Sequence, residues 1–225
     1  MGASMRGRNK AYRLTDHVDP AALRRQYEGP PFDLEDLAPT WLEQFQRWLD
    51  DAVAATVPEP NAMVVATADP SGAPSARTVL LRGVDERGFT FYTNLESRKG
   101  REALANPQGS CVFAWLGLQR QVIARGAIEP VDDAEADAYW ASRPLASRVS
   151  AAASPQSQVV PSREALEEAW ARLSEDGEPA RPEHWSGLRI VPAEVEFWQG
   201  RRDRFHDRLR FRRHGDDWVV ERLAP

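Results

Sequence analysis

Apolar residues recur first at helical spacing and then at strand spacing. Over residues 40–55, Trp41, Leu42, Phe45, Trp48, Leu49 and Ala52 fall three and four apart, which lines one face of a helix. Thr40 at its head and Glu43 three positions later make a capping box. After residue 60 the pattern turns to short β-type runs. AMVVATA (62–68) leads into the turn Asp69-Pro70-Ser71-Gly72, SARTVLLRGV (75–84) into a turn at 85–88, and FTFYTN (89–94) follows. These runs predict successive antiparallel hairpins. Ser97 caps a short helix that runs to Asn106 and stops before Pro107. Strands are expected at 110–115 and 120–130, helices at 132–142 and 162–175, and strands at 188–198, 208–213 and 218–223. A further short helix is expected over 20–27, with Asp19 as its cap and Pro20 in its first position. The sum is mainly β, a barrel-like sheet with peripheral helices. Residues 1–20 are polar and aperiodic and read as a flexible arm, with 21–225 as one domain.

Composition narrows the classes. A chain of 225 residues with a hydrophobic fraction of 42% can build a single core. The net charge of −5 argues against a general nucleic-acid binder. No apolar run reaches membrane-span length, and the N-terminus lacks a secretory apolar region, so a cytoplasmic location is expected. Cys111 is the sole cysteine and sits in the apolar run GSCVFAW, which excludes an internal disulfide and predicts a buried, inert thiol. His17, His184 and His214 lack ligand spacing, so no metal site is expected.

Local clusters of arginine suggest small anionic ligands. Of 29 basic residues only Lys10 and Lys99 are lysines. Arg77 and Arg82 bracket TVLL, and Arg98-Lys99 open the helix after Ser97. Arginine forks and a helix N-terminus together suit a phosphate. Positions 77 and 82 have opposite parity, however, and share a strand face only through a bulge or a strand end. A second cluster is Tyr139 and Arg143, one helical turn apart, with Ser147 just beyond Pro144. On spacing alone an ordinary helix-end interaction is the better explanation. The third is WQGRRDRFHDR (198–208), where Arg204 and His206 share one side of an extended segment beside Trp198. Cations next to an aromatic suit a planar anion, and an exposed basic loop is the bland alternative.

Several of these pieces recur in one known family. LRRQY (23–27), EPNAMVVATAD (59–69), RTVLLRG (77–83), FYTN (91–94), SRKG (97–100), RQV (120–122), YWASRP (139–144), PQS (155–157), VEFWQG (195–200), RFHDR (204–208) and ERLAP (221–225) together resemble the pyridoxine/pyridoxamine 5′-phosphate oxidases. The resemblance implies an FMN-binding split β-barrel, a homodimer with FMN at the subunit interface, and oxidation of a B6 phosphate by dioxygen with release of peroxide. It implies FMN contacts at Arg77, Thr78, Val79, Leu80, Leu81, Arg82, Tyr92, Thr93, Arg98, Lys99, Gln121, Gln156, Ser157, Trp198 and Arg208. Substrate contacts are implied at Arg24, Tyr27, Arg82, Tyr139, Arg143, Ser147, Arg204, Phe205 and His206. Arg204 and His206 carry the implied catalytic role, and Arg24 and Tyr27 belong to a lid. Two departures stand out. Arg82 occupies a position where the family has Lys, and SRVSAAAS (147–154) replaces a stretch with glutamine and tryptophan. The second departure keeps open a paralogous flavin oxidase of another planar substrate, such as a phenazine precursor. A non-catalytic FMN-binding protein is the alternative from another class.

Overall fold

The computed structural model describes residues 18–23, 25–175 and 177–225. All but the last three residues of the expected arm, and Arg24, lie outside the described residues. Nine antiparallel strands and five α-helices make up the fold: α1 (Trp41–Ala54), β1 (Ala62–Ala68), β2 (Pro74–Leu80), β3 (Gly83–Asp85), β4 (Gly88–Asn94), α2 (Arg98–Ala105), β5 (Gln108–Trp115), β6 (Arg120–Pro130), α3 (Asp133–Ser142), α4 (Leu145–Ala153), α5 (Arg163–Glu175), β7 (Trp185–Gln199), β8 (Asp207–His214) and β9 (Asp217–Arg222).

The sheet runs β2-β1-β5-β6-β7-β4-β3, with β8 also on β7 and β9 on β8. β7 is the spine. It pairs with β6 along its length, with β4 through Trp185–Ile190, and with β8 through Glu194–Gln199. The change of partner falls where the β6–β7 register slips between Arg125 and Gly126. A bulge of this kind bends the strand that carries it.

α1 closes the barrel. Its capping box forms as the sequence predicts: Thr40 Oγ1 accepts the Glu43 N–H at 3.2 Å, and Glu43 Oε2 accepts the Thr40 N–H at 3.2 Å. The apolar stripe puts Trp41, Phe45 and Trp48 in the core. Phe45 sits 5.0 Å from Phe89, 4.9 Å from Phe113 and 6.0 Å from Trp115, ring centre to ring centre. Cys111 lies fully buried among these residues, and burial pushes its thiol up to about 12, as the inert reading requires.

Three elements differ from expectation. The helix expected at 20–27 is a single 3-10 turn, Pro20–Ala22. Its Asp19 cap is present, accepting the Ala21 N–H at 2.9 Å, but residues 25–30 carry no helix, and Tyr27 is drawn onto Trp198 and His206. The strand expected at 75–84 is two strands. The Leu81 N–H donates to the Asn61 carbonyl and the Arg82 N–H to the Thr90 carbonyl, so the chain leaves β1 and joins β4 within two residues. Residues 145–153, unassigned from sequence, form α4 behind Pro144.

Gly126 is the tightest point of the bulge. A Cβ there would run into the Val191 carbonyl and the Ala193 amide, both backbone. Gly126→Ala is expected to lower unfolding free energy by about 2 kcal/mol, in the range of overpacking changes. Urea denaturation measures it, and an unchanged midpoint would contradict the bulge's role.

Candidate active site

The first cavity, about 680 Å³, opens between β2, β4, α2 and the α3–α4 junction. Arg77, Thr78, Val79 and Leu80 come from β2, which pairs only with β1 and so offers free backbone groups along its outer edge. Arg82 joins them from the β2–β3 link, Tyr92 and Thr93 from β4, and Lys99 from α2. The strand end at Leu80 is what brings Arg77 and Arg82, of opposite parity, to one cavity. Tyr139, Arg143, Ser147, Gln156 and Trp185 complete the far side. The lining carries four cations and no carboxylate.

The cations are held differently. Arg77 is tied through both terminal nitrogens: Nη1 donates to Thr67 Oγ1 at 2.7 Å and to the Val65 carbonyl at 3.3 Å, and Nη2 reaches Ser75 Oγ and Glu102, the latter at 3.4 Å. Glu102 is the hub behind it, accepting also from Thr67 at 2.5 Å, from Ser75, and from Arg98 Nε at 2.7 Å. Burial pushes the Glu102 carboxyl up, but hydrogen bonds from Ser75, Thr67 and Arg98 outweigh it and hold the group at about 2. Lys99 donates to Gln156 Oε1 at 2.6 Å and Ser97 Oγ at 3.3 Å. Burial, and then the neighbouring Arg77, push its ammonium down to about 8. An anion in the cavity would reverse that shift. Arg143 has a buried Nη1 with no hydrogen-bond partner among the described residues. Tyr92 and Tyr139 stack with centroids 3.8 Å apart, and burial pushes the Tyr92 hydroxyl up to about 12.

The second cavity, about 770 Å³, lies at the other end of β7 and is lined by Arg25, Gln26, Tyr27, Arg201, Asp203, Arg204 and His206. Asp203 and Arg204 have φ of 57° and 62°, the left-handed region that non-glycine residues enter at a cost. The sharp turn so formed presents Arg204. His206 Nδ1 accepts the Arg201 N–H at 3.0 Å, so the neutral ring carries its proton on Nε2. Burial and then Arg204 lower the His206 pKa, against a smaller opposing effect of Asp207. The His206 ring lies 4.7 Å from Trp198 and 5.6 Å from Tyr27.

The sequence-predicted residues therefore fall into two groups. Arg77, Thr78, Val79, Leu80, Arg82, Tyr92, Thr93, Lys99, Tyr139, Arg143, Ser147 and Gln156 meet at the first cavity. Tyr27, Arg204 and His206 meet at the second, with Trp198 behind them. Gln121 pairs with Trp198 across β6–β7, and Arg208 pairs with Trp198 across β7–β8. Arg208 is bound to Glu196 at 2.7 and 3.0 Å. Gln121, Trp198 and Arg208 line neither cavity, and nor do four others: Leu81 points its side chain into the core, Arg98 turns to Glu102, Ser157 is exposed with φ of 73°, and Phe205 is 80% exposed. Sequence reasoning missed Glu102 and Trp185. Glu102 stands one helical turn after Arg98 and was legible as an i,i+4 pair, whereas Trp185 reaches Arg143 only through the folded sheet.

An antiparallel split barrel with a cationic cavity on an open strand edge is a fold class shared with flavin-binding proteins. One solved neighbour, a pyridoxamine 5′-phosphate oxidase-related FMN-binding protein from Nostoc punctiforme, matches it with a TM-score of 0.65 at 20% identity, over 84% of this chain and 99% of its own. The family model described as pyridoxamine 5′-phosphate oxidase matches residues 49–176, and that described as the pyridoxine 5′-phosphate oxidase C-terminal dimerisation region matches residues 185–225. Curated relatives named pyridoxine/pyridoxamine 5′-phosphate oxidase are 53% identical in Cupriavidus necator, over 91% of this chain and 98% of the relative, and 53% in Frankia alni, over 93% and 90%. PhzG from Burkholderia lata, solved with tetrahydrophenazine-1-carboxylic acid, superposes with a TM-score of 0.84 at 33% identity, over 89% of this chain and 100% of its own. The chain belongs to the pyridoxamine 5′-phosphate oxidase family.

Glu102 gives the site a measurable signature. Its carboxyl is held below the ordinary 4.5, so its contribution to stability is present above pH 4.5 and is lost as pH falls toward 2. Glu102→Gln is expected to cost about 2 kcal/mol at neutral pH, the scale of a lost charged hydrogen bond. The difference from the parent should shrink on acidification. A pH-independent difference in melting temperature would contradict this.

Proposed function

We propose that the protein oxidises pyridoxamine 5′-phosphate and pyridoxine 5′-phosphate to pyridoxal 5′-phosphate, with FMN as cofactor, dioxygen as electron acceptor and hydrogen peroxide as product. The observation that carries this reading is the first cavity, whose lining carries four cations, only Arg77 of them tied to a carboxylate behind the wall, and in which one buried guanidinium nitrogen of Arg143 has no partner among the described residues. Such a donor set fits phosphate dianions, and the relatives' names supply the substrate class.

The cavity residues fit a phosphate-bearing flavin. Arg77 and Lys99, with the open edge of β2 and with Thr93 and Gln156, would hold FMN, joined by Gln121, Trp198, Arg208, Arg98 and Ser157. Bound FMN supplies the two-electron acceptor that dioxygen then reoxidises. Arg82, Tyr139, Arg143 and Ser147 would grip the substrate phosphate, which fixes the carbon to be oxidised against the flavin. Arg204 and His206 would flank the pyridine ring, with Tyr27 and Arg24 covering it. Arg204 stabilises negative charge that develops on the ring. His206, with Nδ1 occupied by the Arg201 N–H, offers Nε2–H as a donor to the substrate and does not take a proton at Nδ1.

The strand geometry, with the match to a dimerisation region, supports a homodimer. Trp185 and Trp198 stand at opposite ends of β7, roughly 40 Å apart along the strand at its ordinary rise. A substrate of B6 size does not reach from Arg143 to Arg204 within one chain. Each site would draw its phosphate grip from one subunit and Arg204 and His206 from the other, with FMN at the interface. Among the described residues no helix is long and apolar enough to cross a membrane, and we place the enzyme in the cytoplasm.

A second reading, a related flavin oxidase of another planar substrate, is favoured by the likeness to PhzG and by the distinct sequence of α4. Peroxide release by the FMN-loaded protein separates the two. Turnover with both B6 phosphates supports the proposal, while turnover only with a phenazine-type carboxylic acid would replace it. An FMN-binding protein that turns over neither would be non-catalytic. Arg204→Ala is expected to cut turnover by a factor of about 100 or more, the scale of losing one preorganised charge, with FMN affinity unchanged. Equal turnover in parent and variant would remove Arg204 from the mechanism. Protonation at Nδ1 would break the bond from the Arg201 N–H that orients the ring, and His206 titrates below its ordinary 6.5, so the acid limb of kcat/KM should fall below pH 6.5. An acid limb above pH 6.5 would contradict the neutral, Nε2-protonated ring.

A further inference from the structure

Two arginines of one cavity are fixed by opposite means. Arg77 is bound by acceptors, Glu102 among them. Arg143 is bound by ring faces. Its guanidinium carbon lies 4.8 Å from the Trp185 ring centre and 5.4 Å from that of Trp140. The two indoles meet edge to face at 4.7 Å and 67°. Each is itself held in place. Trp140 Nε1–H donates to the Pro179 carbonyl at 3.1 Å, and Trp185 is nearly parallel to Tyr92, 5.4 Å away, and to Tyr139, 6.1 Å away. Trp185 is only 4% exposed.

The choice of holder decides what the arginine can do. A carboxylate fixes a guanidinium by consuming its N–H donors and cancelling its charge. An aromatic face attracts the cation through its quadrupole and leaves the N–H edge unused. The partnerless Nη1 of Arg143 is the visible result. Freezing the side chain before the anion arrives also removes rotamer entropy that binding would otherwise cost.

We propose that Trp185 is a positioning residue for the substrate phosphate: its indole face, backed by Trp140, presents the Arg143 fork to the phosphate without neutralising it. This rests on the reading of Arg143 as part of the substrate phosphate grip. Trp185 acts through Arg143 and takes no part in electron transfer.

The test uses FMN-loaded Trp185→Phe, Trp185→Leu and Arg143→Ala. Phe and Leu both keep the site apolar, and only Phe keeps an aromatic face. Trp185→Leu is expected to raise KM for pyridoxine 5′-phosphate about tenfold, within the range of a desolvated cation–π contact, and to leave kcat nearly unchanged. Its Kd for inorganic phosphate, read by calorimetry, should weaken in step, while the Kd for FMN stays put. Trp185→Phe should recover most of both losses. The inference is overturned if Leu and Phe behave alike, or if KM, the Kd for FMN and melting temperature all worsen together, which marks a structural role only. Should Trp185→Leu leave KM unchanged while Arg143→Ala raises it, the inference fails and the phosphate grip stands. Should Arg143→Ala itself leave KM and phosphate Kd unchanged, the grip reading fails and the inference with it.

Discussion

The constraint on which the rest depends is the rise of one β-strand. β7 runs unbroken from Trp185 to Gln199, changing partner from β4 to β8 on the way. Its first residue touches the phosphate-type cavity and its last turn carries the chain to Arg204 and His206. A strand cannot shorten without losing its ladder, so these two sets of groups are kept apart by covalent geometry. The bulge at Gly126 lies within this path. The proposed site, which draws on both sets, would then be shared between chains, and the match of residues 185–225 to a dimerisation region is consistent with a dimer.

Within each half, electrostatics distributes tasks among similar residues. Glu102 offsets charge on Arg77 and Arg98 and, with Ser75 and Thr67, ties Arg77 to β1 and β2. Those arginines build the wall. Lys99 and Arg143 carry charge that no carboxylate offsets, and burial pushes the pKa of both down. They are the groups with most to gain from an arriving anion. At the other end of β7, the strained turn at Asp203 and Arg204 and the amide lock on His206 serve orientation. Strain of this kind persists only where surrounding contacts over-determine it. Ties from Gln26 to Asp203 and from Glu28 to Arg202, at 3.2 and 2.7 Å, supply part of that support.

Much of the fold was legible in the sequence because its signals are local. The α1 capping box, the Asp69 turn and the alternation along β1 depend on neighbours a few residues away. The break at Leu81–Arg82 was not legible, because it is set by Asn61 and Thr90 across the sheet. α4 lacked a side-chain cap and an evident apolar stripe. The phosphate-type cluster was half legible: the Tyr139–Arg143 spacing marked a shared face, but it could not distinguish a helix-end contact from a site. The family resemblance joined Arg77 to Arg143, and the fold supplied the cavity that contains both. Trp185 escaped notice because an aromatic at the start of a strand carries no mark of the cation it meets.

The shared site is the central claim, and subunit mixing tests it most directly. Arg143→Ala and Arg204→Ala are each expected to be poorly active as homodimers. After the two are unfolded together and refolded in equal amounts, random pairing in a two-fold dimer makes half the molecules mixed, each with one intact site and one doubly altered site. Activity should return to about a quarter of the parent value. A mixture no more active than its components, with mixed dimers demonstrated by differential tags, would show that Arg143 and Arg204 serve one chain's site and would contradict the account.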